Sequence, residues 1–312
     1  MTKPPILVTR ALPASVMARL DAACTVDRYA GEGSMPRDEM IARLPGKLAM
    51  VSMVTDTVDA GVVSAGTDLR LIANVAVGYN NVDVAAAKAR GIVVTNTPDV
   101  LTDATADLTL ALILAVTRRL GEGERMVRRG AWKGWAFDQL LGMQLRGRQL
   151  GIVGYGRIGK AVGVRAEAFG MTVAHVSRPG SGARDSGLDR LLSTSDIVSL
   201  HVPLTPDTRH LIGQTELARM KRSAYLVNTT RGPVVDEAAL AWALRQRLIA
   251  GAALDVYEKE PEVHPDLMSL ENVVLAPHLG SATTETRTAM ADLAASNVIA
   301  VLSGQPPLTP VT

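Results

Sequence analysis

Residues 150–159 read Leu150-Gly151-Ile152-Val153-Gly154-Tyr155-Gly156-Arg157-Ile158-Gly159. A short apolar run meets three glycines in GxGxxG spacing, and a helical pattern follows from Arg157 to Phe169. The three glycines do different things. Gly154 permits the tight turn, Gly156 lets backbone approach a pyrophosphate, and Gly159 lets the helix pack close to the strand. The helix N-terminus adds N–H groups without partners and a partial positive charge. Strand, turn and helix in this order open a dinucleotide-binding βαβ unit.

The same alternation continues downstream. Apolar runs at 172–176, 197–201, 224–227, 252–256 and 273–275 predict five further strands with helices between them, hence a mostly parallel sheet. Upstream, runs at 6–8, 49–54 and 71–75 alternate with helical patterns at 14–23 and 82–90. Two long helices flank the central unit. One follows Pro98, with Thr102 as a cap and Asp103 in its first turn, and runs to about Arg119. The other spans 284–302, with apolar positions at Ala289, Leu293, Val298, Ile299 and Leu302. The chain is expected to leave its first domain (1–98), build a second (99–286), and return to the first (287–312).

Composition agrees with two folded domains. At 312 residues the chain exceeds the size of one hydrophobic core, and 47% apolar with 21% charged residues is a globular balance. Aromatic residues are 3% and the formal net charge is +2, which argues against a stacking or basic nucleic-acid surface. The single Cys24 excludes an intrachain disulfide, and no zinc-ligand spacing occurs, so no metal is expected. With no signal-like stretch at the N-terminus, and Leu108–Val116 too short to span a bilayer, a cytoplasmic protein without membrane contact is expected.

The strand at 172–176 leads into Ser177-Arg178-Pro179, where an acid would normally take the ribose 2′-hydroxyl of NAD. Ser177 can donate to a 2′-phosphate and the Arg178 fork can pair with it. NADPH is therefore expected over NADH, with NADH still possible.

Three more segments end predicted strands: Val227-Asn228-Thr229-Thr230-Arg231-Gly232, Leu254-Asp255-Val256-Tyr257 leading to Glu260-Pro261, and Ala276-Pro277-His278-Leu279-Gly280-Ser281. With Asn74-Val75-Ala76-Val77-Gly78-Tyr79-Asn80-Asn81-Val82-Asp83 and Val100-Leu101-Thr102-Asp103-Ala104-Thr105-Ala106-Asp107, the chain resembles the D-isomer-specific 2-hydroxyacid dehydrogenase family, most closely its glyoxylate and hydroxypyruvate reductase branch. The resemblance covers nearly the whole chain. It implies an α/β fold of two doubly wound parallel-sheet domains, a Rossmann NAD(P)-binding domain inserted into a flavodoxin-like substrate domain.

The resemblance also implies roles. Arg231, Glu260 and His278 are the catalytic set: Arg231 holds the carboxylate and polarises the carbonyl of a 2-oxo acid, His278 gives the proton, and Glu260 favours the imidazolium. Cofactor contacts are Gly154, Gly156, Arg157, Ile158, Gly159, Ser177 and Arg178, with Thr105, Pro203, Thr208, Thr230, Asp255 and Gly280. Val77 and Gly78 offer backbone N–H groups to the substrate carboxylate, which places substrate between the domains, and Met53 borders the same pocket. Trp135, in the loop it shares with Trp132, reaches the partner's active site in this branch, so a homodimer is expected. The four other histidines, His175, His201, His210 and His264, are read as packing or surface residues.

The expected activity is reduction of glyoxylate or hydroxypyruvate with hydride from NADPH. Within the class, the alternatives are another 2-oxo acid reductase or a phosphoglycerate-type dehydrogenase, a relative that often carries a C-terminal regulatory domain. From a different class, a dinucleotide-sensing, corepressor-like binding protein would keep fold and trio.

Overall fold

In a computed structural model, residues 2–177 and 186–311 are described, Ser186 by its backbone alone. The chain divides into two compact units, Met1–Leu101 with Thr283–Thr312, and Thr102–Ala282. The first unit begins β1 (Pro5–Val8), α1 (Ala14–Ala23), β2 (Thr25–Arg28), α2 (Arg37–Arg43), β3 (Ala49–Met53), α3 (Ala60–Ala65), β4 (Leu71–Val75), α4 (Val84–Ala89) and β5 (Val93–Thr95). The second unit holds α5 (Thr102–Thr117), α6 (Leu120–Arg128), β6 (Gln149–Val153), α7 (Arg157–Ala168), β7 (Thr172–Val176), α8 (Ser186–Thr194) and β8 (Ile197–Leu200). It continues with α9 (Gln214–Arg219), β9 (Tyr225–Asn228), α10 (Glu237–Arg245), β10 (Gly251–Leu254), α11 (Pro265–Met268) and β11 (Val273–Leu275), and α12 (Thr284–Leu302) completes the first unit.

The first sheet runs β2-β1-β3-β4-β5 with every pairing parallel, the doubly wound, flavodoxin-like order. Both faces are covered, so its central strands are apolar on both sides. Ile6 and Val8 pack toward α1 and α12, while Leu7 between them packs with Met40, Val62 and Ala87 on the other face. The buried stripe of α12 is Met290, Ala291, Ala294, Ala295 and Val298, with Asn297. Of the five positions expected from periodicity, only Val298 is fully buried. The helix is alanine-rich on several faces, so composition alone does not mark the face that packs.

The second sheet is also all-parallel, ordered β11-β10-β9-β8-β6-β7, and it reverses direction between β6 and β8. A switch point of this kind leaves a crevice at the carboxyl ends of the strands, and the Gly154 turn opens directly into it. One face packs against α5 and α7 through Ile113, Val162 and Ala166. The other packs through Leu192, Leu217, Leu240 and Leu244. The expected helix to Arg119 stops at Thr117, because Arg119 turns left-handed (φ 54°) and a separate α6 begins at Leu120. Among the described residues no helix is long and apolar enough to cross a membrane.

Candidate active site

The chemistry of the second unit collects at the carboxyl ends of its strands. After β6, Gly154 has φ 94°, and a Cβ there would lie 2.4 Å from the His201 carbonyl oxygen. At Gly159 a Cβ would lie 2.2 Å from the Gly154 carbonyl oxygen, so the turn and the helix can close only without side chains. Gly156 differs: a Cβ built on it meets nothing within 4 Å. The fold itself does not demand that glycine. A pyrophosphate approaching the backbone would, and the first N–H groups of α7, which have no intrahelical acceptor, lie at the same turn.

These residues therefore fit a dinucleotide, and Gly156 separates folding from binding. Gly156→Ala should leave the thermal midpoint within about a degree of the parent, since it creates no clash in the protein. Its dinucleotide Kd, measured by fluorescence titration, should rise at least about tenfold, the loss of a charge-assisted contact. Unchanged affinity would remove the turn from the binding site.

Ser177 follows β7 as an exposed residue at the end of the neighbouring strand. Arg178, expected beside it, lies outside the described residues. After β8, the buried Thr208 hydroxyl donates to the Pro203 carbonyl oxygen at 2.6 Å, which ties these two expected cofactor positions into one loop. Asp255, buried at the end of β10, accepts from the Leu279 N–H at 2.6 Å and the Gly280 N–H at 2.8 Å. Burial pushes its pKa up, against the two amides. Thr105 on α5 donates to the Gly280 carbonyl oxygen, so Thr105, Asp255 and Gly280 form one cluster. Arg157 and Ile158 open α7 next to the turn.

The proton-handling pair follows from the loops after β10 and β11. His278 has φ 53°, and its N–H donates to the Asp255 carbonyl oxygen, which seats the ring beside the loop carrying Glu260. Its Nδ1 lies 2.7 Å from Glu260 Oε2, while Glu260 Oε1 accepts from the Tyr257 N–H at 3.1 Å. Both carboxylate oxygens are thus acceptors. Burial acts to raise the Glu260 pKa, but the His278 hydrogen bond and charge, the Tyr257 amide and the Arg231 charge outweigh it, and the net shift is downward. An ionised Glu260 makes Nδ1 the donor and leaves Nε2 for proton exchange. The two side chains each keep 30% of their surface accessible, so the pair is sheltered yet reachable.

A depressed carboxylate pKa stabilises the folded state above the unfolded value of about 4.3, and that stabilisation is lost as pH falls through the folded value. The stability advantage of the parent over Glu260→Gln should be present near about pH 6 and shrink progressively as the pH falls below about 4.3 in urea melts. An advantage that does not shrink on acidification would contradict this.

Arg231 sits just past β9, where Asn228 Nδ2 donates to its carbonyl oxygen at 3.0 Å and its own Nη1 donates to the Thr230 carbonyl oxygen at 2.7 Å. Burial pushes the guanidinium pKa down while the Glu260 carboxylate acts to raise it, and an arginine remains charged throughout. The Thr230 hydroxyl is turned to Asn228 Oδ1. Sequence reasoning missed Asn228 and Tyr257, whose roles are to hold Arg231 and Glu260. Asn228 stood within the quoted segment, but nothing local marks its partner.

In the first unit, Met53 ends β3 and packs against the core, and Val77 and Gly78 follow β4. Trp135 is 82% exposed in an irregular loop with Trp132 and Phe137, and α6 buries none of its residues.

Similarity to known proteins extends over nearly the whole chain. Residues 110–280 match the family model "D-isomer specific 2-hydroxyacid dehydrogenase, NAD binding domain". The glyoxylate reductase of Thermococcus litoralis is 46% identical over 98% of this chain and 96% of its own. A crystal structure of a Thermus thermophilus protein aligns with TM-score 0.92 at 46% identity, covering 99% of this chain and 100% of that one. The NADPH-dependent glyoxylate/hydroxypyruvate reductase of Sinorhizobium meliloti, solved with NADP and malonate, aligns with TM-score 0.88 at 37% identity, covering 100% and 97%. With the fold, the glycine turn and the Arg231–Glu260–His278 arrangement reinforced by whole-length similarity, this chain belongs to the D-isomer specific 2-hydroxyacid dehydrogenase family.

Proposed function

We propose that the protein reduces glyoxylate or hydroxypyruvate to the corresponding 2-hydroxy acid with NADPH. The observation that carries this reading is the 2.7 Å contact of His278 Nδ1 with Glu260 beside the Arg231 charge, one acid and electrophile set. The reduced nicotinamide, when bound, supplies a hydride to the carbonyl carbon. Arg231 holds the substrate carboxylate and polarises the carbonyl oxygen. His278 gives that oxygen its proton from Nε2, and Glu260, held against Nδ1, orients the ring for that transfer. Gly154, Gly156, Arg157, Ile158 and Gly159 hold the pyrophosphate, and Thr105, Pro203, Thr208, Thr230, Asp255 and Gly280 line the rest of the cofactor site.

Several finer assignments belong to the same proposal. The first unit is the substrate domain, supplying the Val77 and Gly78 amides and Met53, and the second is the nucleotide domain. Ser177 and Arg178 select the 2′-phosphate. The protein works as a cytoplasmic homodimer through α6 and the Trp132–Phe137 loop, with Trp135 at the partner's site. Support comes from exposed Leu120, Val127, Trp135 and Phe137, more apolar surface than one helix and loop leave open without a partner.

Initial rates with NADPH and NADH against glyoxylate, hydroxypyruvate, pyruvate and bulkier 2-oxo acids test the reading. Turnover with the first two and a higher kcat/KM for NADPH is expected. A clear NADH preference would overturn the cofactor assignment, and binding of NADPH without turnover of any acid would favour a dinucleotide-sensing protein.

A further inference from the structure

Past β4 the chain runs Ala76-Val77-Gly78-Tyr79, and three consecutive carbonyls of this loop are each tied down. The Ala76 oxygen accepts from the Thr97 N–H at 2.8 Å. The Val77 oxygen accepts from Asn96 Nδ2 at 2.8 Å, and the Gly78 oxygen from Asn74 Nδ2 at 3.1 Å. These peptide bonds are trans, and in a trans peptide the carbonyl and the following N–H point in opposite directions. Each tie therefore aims the next N–H away from the anchoring residue. The donors so aimed are those of Val77, Gly78 and Tyr79, and none of the three has a partner among the described residues. Successive backbone N–H groups left free in this way are available to an anion.

The two anchoring side chains are themselves fixed. Asn74 is fully buried, and its Oδ1 accepts from Ser52 Oγ at 3.2 Å and from Asn81 Nδ2 at 3.3 Å, which settles that Nδ2 faces Gly78. Asn81 Nδ2 also reaches the Met53 carbonyl oxygen, joining the end of β3 to the same network. Asn96 is held by the C-terminal tail: its carbonyl oxygen accepts from Thr309 Oγ1 at 2.6 Å and its N–H donates to the Thr309 oxygen at 3.2 Å. Buried Asn297 on α12 holds Thr309 in turn.

We infer that Asn96 and Asn74 are positioning residues that orient the Val77, Gly78 and Tyr79 amides toward the substrate carboxylate. This rests on the reading that the Val77–Gly78 loop binds that carboxylate. The Tyr79 N–H becomes a third donor, and the tail acts on substrate affinity through Asn96 without touching substrate.

Steady-state kinetics and inhibition by oxamate, a 2-oxo acid analogue that is not reduced, test it with Asn96→Leu, Asn96→Asp and Gly78→Pro. Asn96→Asp keeps the size of the side chain and removes its donor, while Asn96→Leu removes the donor without adding a charge, so agreement between the two separates donation from packing and from charge repulsion. Both Asn96 variants should raise KM for glyoxylate and Ki for oxamate about tenfold, the loss of one well-aimed bond to a charged group, with kcat and NADPH Kd within about twofold. Gly78→Pro deletes one donor and should weaken oxamate at least as much. If Gly78→Pro weakens oxamate while Asn96→Asp does not, the positioning role is overturned. If Gly78→Pro also leaves oxamate unchanged, the loop does not bind the carboxylate and the underlying reading falls.

Discussion

Replacing His278 by Asn should lower kcat by about 10³-fold, within the range for removing a positioned general acid, while NADPH Kd stays within about twofold. Asn is the informative choice because of the backbone. His278 has φ 53°, a region that Asn tolerates far better than Ala or Leu, and its N–H bond to Asp255 must survive for the Leu279 and Gly280 amides to keep holding that carboxylate. An Asn side chain has no titratable proton to give. The proton acts only as the carbonyl becomes an alkoxide, so kcat and kcat/KM should fall together and KM should barely change. Near-parental turnover would mean that another group or solvent protonates the product, and His278 would leave the mechanism. A rise in NADPH Kd of the same size as the loss in kcat would instead point to a disturbed cofactor loop.

Arg231→Gln should lower kcat/KM by about 10³-fold, mostly through KM but with a fall in kcat as well. Two charge-assisted hydrogen bonds to the carboxylate and carbonyl, at about 2 kcal/mol each, give about 4 kcal/mol, and every 1.36 kcal/mol is a factor of ten. The part made to the ground-state carboxylate appears in KM, and the part that strengthens as charge grows on the carbonyl oxygen appears in kcat. Arg231→Lys should lose about 10²-fold, because the ammonium keeps the charge but not the planar fork. The loop should survive either change, since Asn228 holds the backbone carbonyl of residue 231 rather than its side chain. Gln also removes the positive charge that helps to hold Glu260 ionised. A loss confined to NADPH affinity would place Arg231 on the cofactor instead of the substrate.

The parts of the fold that were legible in the sequence are those whose signal is local. β4 coincides with its apolar run because a strand buried within a parallel sheet reads as a continuous hydrophobic segment. β7 is legible too, although it is an edge strand with no buried residue, because Val173, Ala174 and Val176 keep it apolar. β2 did not announce itself: Thr25-Val26-Asp27-Arg28 is an edge strand with no fully buried residue. β5 is only three residues long. The break between α5 and α6 carries neither glycine nor proline, since it is made by Arg119 in a left-handed conformation with its guanidinium bonded to Glu122. In the site, the glycine turn, Arg231 and His278 stand in short motifs whose chemistry is local, whereas Asn228, in the same segment as Arg231, shows its part only through its bond to the Arg231 carbonyl oxygen. The Asn96 bond to Val77 and the support of its backbone by Thr309 join residues far apart in sequence, and no local pattern encodes them.

Transfer of the hydride itself separates a reductase from a protein that only binds the dinucleotide. Hydroxypyruvate should be incubated with NADPH fully deuterated at the nicotinamide C4 and the product examined by mass spectrometry and chiral separation. The expected product is a 2-hydroxy acid of D configuration carrying one deuterium at C2, formed in equal amount to the NADPH consumed. NADPH that binds but is not consumed, or a product without deuterium, would contradict it.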